Sequence, residues 1–305
     1  MTRRYPLVGM ELICRLFGRV RQAWYAATRR AERTSFQTDA ILQEVRRIRR
    51  EVPGMGTHKL HNELKTFLTR HRIKLGRDRL HLLLKEHGML AKKKASKVAT
   101  TESNHPHYKY PNKAKDLKPV RINELWVSDL TYIPVGVNYA YLYVIMDAFS
   151  RKIVGWSLQK TMHAQGALNA LKMALSARKD ICQPLIHHSD RGVQYCSWAY
   201  VQRLRQVNAT ISMTESGDPN ENAMAERVLR SLKDDCKLAR GFISFSAAEE
   251  AVAKAINAYN TVRPHASLNY LTPHQMHQRK RKPKLRWYPY KKVRYAGRPV
   301  AKCAI

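Results

Sequence analysis

Apolar positions keep a helical period through the first part of the chain. From Met10 to Phe17 the residues Met10, Ile13, Leu16 and Phe17 recur at helical spacing, Gly18 interrupts, and a second helical stretch is predicted over Val20–Arg30. Ile41, Val45 and Ile48 share one face of a helix predicted over Asp39–Arg50, with Arg46, Arg47, Arg49 and Arg50 mostly on the others. After the turn Pro53-Gly54-Met55-Gly56, Leu60, Leu64, Phe67 and Leu68 predict a helix over His58–Leu68, and Leu80, Leu83 and Leu84 one over Gly76–His87, closed by Gly88. These are two helix-turn-helix pairs with basic outer faces. Their arginines Arg21, Arg29, Arg30, Arg77 and Arg79 are candidate DNA contacts if Val20–Arg30 or Gly76–His87 enters a major groove.

Lys92–Lys118 has no period and is rich in Lys, Ser, Asn and Pro, which predicts a linker with little core. Beyond it the pattern becomes one of alternation. Leu125–Pro134, Tyr139–Asp147 and Lys152–Leu158 are β-branched and aromatic runs separated by Gly136-Val137-Asn138 and Ser150-Arg151, a three-stranded meander. A helix over Ala164–Arg178, a strand over Leu185–Ser189, a helix over Trp198–Val207, a strand over Thr210–Met213 and helices over Asn222–Cys236 and Ala247–Asn260 complete the order. The expected fold is α/β: a ribonuclease-H-like mixed-sheet catalytic core preceded by an all-α helix-turn-helix domain. The expected division is a helix-turn-helix region over 1–95, a linker over 96–122, a catalytic core over 123–275 and a basic tail over 276–305.

Composition narrows the partner. The 305 residues hold 56 Lys and Arg against 23 Asp and Glu, a formal charge of +33. The excess sits at the ends: residues 1–100 carry 24 basic and 8 acidic side chains, and Met276–Ile305 carry 11 basic and none acidic. The middle of the chain is close to balanced. That distribution suits a globular body gripped to double-stranded DNA by its flanks, each neutralised phosphate releasing a counterion. No apolar run is long enough to cross a membrane and no signal peptide is recognisable, so a cytoplasmic, nucleoid-associated protein without a membrane partner is expected. Five widely spaced cysteines without a C-x-x-C pair are read as reduced thiols, and His58 and His61 lack the partners that would complete a zinc site.

Three carboxylates carry the candidate chemistry. Asp129 lies mid-strand on the face it shares with Val127 and Thr131, a costly place for a charge unless a cation neutralises it. Asp190 ends the Leu185–Ser189 strand. Glu226 lies near the start of a helix on which Asn222, Arg230 and Lys233 share its side, which makes those three candidate DNA contacts. Hard oxygen ligands of this kind suit Mg²⁺ or Mn²⁺, and two such ions roughly 4 Å apart can clamp both reacting oxygens of a phosphodiester. Asp147, before Ser150-Arg151, is expected to cap that turn instead. Asp234 and Asp235 fall on the far side of the helix from Glu226.

Thirty-five residues separate Asp190 from Glu226. This spacing resembles the Asp-Asp-35-Glu signature of retroviral integrases and insertion-sequence transposases. The runs Trp126-Val127-Ser128-Asp129-Leu130-Thr131-Tyr132-Ile133, His188-Ser189-Asp190-Arg191-Gly192, Asn222-Ala223-Met224-Ala225-Glu226 and Tyr259-Asn260-x-x-Arg263-Pro264-His265 resemble the insertion-sequence-three family, second-frame product, from about Asn123 to Gln275. Two departures stand out: Glu221 where that family often has Asp, and a longer basic tail. The resemblance implies cleavage of transposon ends by water, strand transfer by the freed 3′-hydroxyl, two Mg²⁺ or Mn²⁺ ions on the three carboxylates, and Lys233 near the scissile phosphate. It also implies a homo-oligomer on DNA and an upstream-frame product joined by frameshift fusion. The residues alone leave open a helix-turn-helix regulator without catalysis, and a nuclease of the same fold that does not join.

Overall fold

The computed structural model describes residues 10–18, 20–91, 108–180, 182–215, 219–281 and 283. Five helices come first: α1 (Met10–Leu16), α2 (Arg21–Glu51), α3 (Thr57–Glu63), α4 (Lys65–Arg70) and α5 (Arg77–Glu86). The stretches expected as separate helices over Val20–Arg30 and Asp39–Arg50 are one 31-residue helix. No Gly or Pro stands between Arg21 and Glu51, so nothing stops propagation once the buried half is folded. The helix expected over His58–Leu68 is instead divided at Leu64 between α3 and α4. Its apolar stripe survives the break, since Leu60, Leu64 and Leu68 are all buried with Ile41, Val45, Ile48, Leu80 and Leu84. Ala258, from a helix of the catalytic core, lies in the same cluster, so the N-terminal unit shares packing with the core.

The core follows as β1 (Leu125–Val135), β2 (Asn138–Asp147), β3 (Ile153–Gln159), α6 (Ala164–Ser176), β4 (Ile186–Ser189), α7 (Val193–Cys196), α8 (Trp198–Gln206), β5 (Thr210–Met213), α9 (Ala223–Asp234), α10 (Phe245–Thr261) and α11 (Pro273–His277). The sheet order is β3-β2-β1-β4-β5. The first three strands are antiparallel, and β4 and β5 run parallel to β1 and to each other. Alternation along the strands divides the core in two. Trp126, Tyr143 and Ile145 pack with α6 and α8 on one face, and Val127, Ile133, Leu142 and Val144 pack with α9 and α10 on the other. Gly155 on β3 lets α6 approach closely, because a Cβ there would run into the Ala170 carbonyl.

Two expectations on the flanks change. The described part of the expected linker, 108–122, has no helix or strand but lies on the core: Leu117 packs on one apolar cluster, Tyr110 on the other, and the Lys113 amide donates to Ser212 Oγ at 2.8 Å. A boundary after Gln275 would pass through α11, whose Met276 is fully buried with Phe149 and Leu268. The signal for α11 was readable. Thr272 and Gln275 form a capping box with Pro273 at the first helical position. Among the described residues no helix is long and apolar enough to cross a membrane.

Candidate active site

The strand register brings the two aspartates level. The parallel pairing of β1 with β4 runs to Val127 opposite His188, so Asp129 and Asp190, each two residues further on, occupy equivalent places on adjacent chains and face the same side. That side is the one covered by α9. Beyond the last pair β1 continues alongside β2 to Val135, whereas β4 ends at Ser189, so Asp190 lies at the carboxyl end of β4 beside the middle of β1, and ligands of open α/β sheets usually sit at such strand ends. α9 packs against β1 and presents Glu226 within its first turn.

Burial pushes the Asp129 carboxyl well above the ordinary aspartate range, and the charges of Asp190 and then Glu226 push it further. The Leu130 amide, 2.8 Å from Asp129 Oδ1, and the Lys233 ammonium act in the opposite sense. Asp190 Oδ1 accepts from the Gly192 amide at 3.1 Å, and its charge adds to burial in raising the Cys196 thiol to about 11. The charges of Asp190 and Glu226 thus act on the Asp129 carboxyl in one sense, and the Leu130 amide and the Lys233 ammonium in the other.

A second layer of bonds fixes the entry to α9. The Asn222 side-chain amide donates to the Ser128 carbonyl at 3.0 Å, tying the turn before α9 to the strand beside Asp129. Burial pushes His188 below its ordinary pKa, which leaves a neutral ring. Its Nε2 then donates to the Glu221 carbonyl at 3.1 Å while Nδ1 accepts from Ser212 Oγ at 2.9 Å. Sequence spacing marked His188 and Ser128 only as parts of motifs, and it did not mark Ser212. Bonds between β4, β5 and the 219–222 turn have no periodic signature.

The predicted contacts separate by location. Lys233 is half-buried and acts electrostatically on Asp129, and Arg230 is exposed on the same helix. Asn222 is a correction: it was expected at the DNA, but it lies in the short 3-10 turn Pro219–Asn222 with its side chain buried, because it precedes the first turn of α9. Arg21, Arg29 and Arg79 are exposed, and Arg77 is exposed but paired with Asp78 at 2.8 Å. The side chain of Arg30 lies outside the described residues.

Among the described residues no three His, Cys, Asp or Glu side chains enclose a single point as a ready-made metal cage. Mg²⁺ does not require one, since it is commonly held by one or two carboxylates with the remaining positions filled by water and substrate phosphate. A buried Asp129 carboxyl that feels the charges of Asp190 and Glu226 fits that kind of ion.

Comparison with known proteins places the chain. The integrase core domain family matches residues 119–219, and a second integrase core domain family matches residues 207–273. The uncharacterized 31 kDa protein of insertion element IS600 from Shigella sonnei is 33% identical over 267 residues, covering 86% of this chain and 96% of that protein. The transposase for insertion sequence element IS904 from Lactococcus lactis is 40% identical over 153 residues, covering 50% of this chain and 60% of that one. Transposase InsF for insertion sequence IS3A from Escherichia coli is 38% identical over 154 residues, covering 50% of this chain and 53% of that one. The match thus spans little more than half the length of these last two relatives. With one integrase core match spanning all five strands, a second running on from β5 through α10, and an insertion-element relative covered to 96% of its length, the chain belongs to the insertion-sequence-three family of DDE transposases.

Proposed function

We propose that this chain cuts DNA at the ends of a mobile element and joins the freed 3′-hydroxyl to target DNA, using Asp129, Asp190 and Glu226 to hold divalent cations. The observation that carries the reading is the raised Asp129 carboxyl, whose cause after burial is the charge of Asp190 and Glu226. Mg²⁺ or Mn²⁺ bound there would lower the charge on the scissile phosphate and on the attacking and leaving oxygens. The chain's own residues supply placement. The Leu130 amide orients Asp129, the Gly192 amide orients Asp190, and Asn222 with His188 fixes the turn that leads into α9, the helix that carries Glu226. Lys233, two turns further along α9, is proposed to meet the DNA phosphates beside the carboxylates, with exposed Arg230 on the same side.

The test is incubation of the full chain with duplexes bearing the element's ends. With Mg²⁺ or Mn²⁺, cleaved ends and joined products are expected, and chelation should remove both. Cleaved ends without joined product would replace the transposase reading by that of a nuclease. Binding without either would replace it by that of a regulator.

The basic tail gives a second expected result. Since Met276 and His277 belong to the folded body, truncation is placed after Arg281, which removes eight basic residues and no acidic one. Affinity for any duplex should fall to a similar extent, and the slope of log affinity against log salt should flatten by about 0.9 for each phosphate that the tail had neutralised. An unchanged slope in a salt titration would show that the tail does not touch DNA phosphates.

A further inference from the structure

The run Tyr259-Asn260-x-x-Arg263-Pro264-His265 has no part in the chemistry above, yet its side chains are bonded throughout. Asn260 clasps Ile153 at the start of β3, accepting from its amide at 2.9 Å and donating to its carbonyl at 3.0 Å. Arg263 is buried. Its Nε donates to Asp235 Oδ2 at 2.7 Å, its Nη2 to Ser231 Oγ at 3.0 Å and its Nη1 to His265 Nε2 at 2.9 Å. The guanidinium also lies over the Tyr259 ring, 5.5 Å from its centre. Ser231 and Asp235 stand at the carboxyl end of α9, the helix that begins near Glu226. The core therefore grips that end through one arginine.

The N-terminal unit grips the same end from outside. Lys59 Nζ on α3 lies 3.1 Å from Asp235 Oδ2, so one carboxylate oxygen serves both cations. The Gly54 amide donates to the Asp235 carbonyl at 2.7 Å. Gly54 must be glycine for this approach, since a Cβ would stand 2.5 Å from the Asp234 carbonyl oxygen and 2.8 Å from the Asp235 Cα. A charge cluster of this kind is a poor source of net stability compared with apolar packing, but its bond directions specify one relative placement. That placement joins the helices expected to bind DNA to the helix that carries Glu226, about 13.5 Å along its axis from Asp235.

We propose that Asp235, held between Arg263 and Lys59 and backed by Gly54, is a positioning latch that locks the N-terminal helical unit to α9, so that DNA bound by the unit enters the active site in fixed register. The register part rests on the proposed chemistry. The latch itself does not.

The experiment uses the full chain with Lys59→Met, Lys59→Arg and Gly54→Ala. None of these residues lies in the proposed catalytic machinery, and Lys59→Arg keeps the cross-unit charge. Hydrogen exchange is read first, without DNA. Lys59→Met and Gly54→Ala should raise exchange at Gly54 and in the last turn of α9 by at least ~10-fold while β1 and β2 stay protected, and Lys59→Arg should resemble the parent. Unchanged exchange in both loosened variants overturns the latch. Cut position is read second, at saturating end duplex and Mg²⁺. The parent should cut at one phosphate, and the two loosened variants should cut over several neighbouring phosphates with nearly unchanged affinity for the ends. A single cut position in loosened variants would reduce the latch to a feature of the fold alone and overturn the register role. If the parent binds ends but cuts nothing, the proposed chemistry fails instead. Register is then read by hydroxyl-radical footprinting, where blurred spacing between protected tracts supports the latch role and constant spacing overturns it.

Discussion

Replacing any one of Asp129, Asp190 or Glu226 by its amide should lower end cleavage and strand transfer by at least ~10²-fold while leaving DNA binding nearly intact. The amide keeps the volume of the side chain and removes the charge, so the surrounding packing should be kept. The oxygen of Asn at 129 can still accept from the Leu130 amide, as Asp129 Oδ1 does at 2.8 Å. What disappears is one anionic ligand, and the loss of several kcal/mol of transition-state stabilisation corresponds to a factor of ten for each 1.36 kcal/mol. Paired substitutions should be little worse than single ones, because the three groups act as a unit. Strand-transfer assays with gel shifts on the same preparations provide the check. If Glu226→Gln joins DNA at near-normal rates, α9 does not supply the third ligand.

The place of Asp129 in the sheet was legible because side chains alternate along a strand with a two-residue period. Asp129 shares its parity with Val127 and Thr131, and that parity places it on the α9 face of the finished sheet. The strands themselves were legible for the same reason, with Thr210–Met213 expected and found. Where no periodic face is buried, the pattern is silent. The middle of α2 lies between an exposed first half and a buried second half, and a helix there needs no apolar stripe to persist once its buried end is anchored. Asn222 shows the limit of helical-face arithmetic. It stands four residues before Glu226, but it lies ahead of the first turn of α9, where side chains follow the geometry of the 3-10 turn and this one points inward to Ser128. The bonds at His188 and Asp235 join residues far apart in the chain. Their geometry depends on the packed core, and spacing alone could not place it.

Two acids on neighbouring strands should respond to the same substitution with opposite signs, and stability is the measurement that separates them. Asp147 ends β2, opposite Trp126 on β1, and is fully buried. Its Oδ1 accepts from the Ser150 amide at 2.7 Å and from Ser150 Oγ at 2.6 Å, and its Oδ2 accepts from the Asn123 amide at 2.8 Å. Burial raises its pKa, and the bonds from Ser150 and Asn123 work against that rise. An Asn in its place keeps one oxygen and turns an NH₂ toward one of these donors, so a buried N–H loses its acceptor. Asp147→Asn should therefore cost about 1–3 kcal/mol and retain catalysis in the fraction that folds. Asp129→Asn should do the reverse. Its carboxyl is raised by burial and by Asp190 and Glu226, so the ionised form is disfavoured in the folded chain. For a raised carboxyl the favourable contribution is present below the unfolded pKa, near 3.9, and is lost as pH rises through the folded value. At neutral pH without divalent cations Asp129→Asn should thus melt higher than the parent, and the difference should vanish in acid. Adding Mg²⁺ should raise the melting temperature of the parent, which gains a neutralising ligand, and raise that of Asp129→Asn much less. Melting curves of both variants at neutral and acid pH, with and without Mg²⁺, read all four outcomes. If Asp129→Asn destabilises the cation-free protein at neutral pH, the three carboxylates do not repel one another as the site requires.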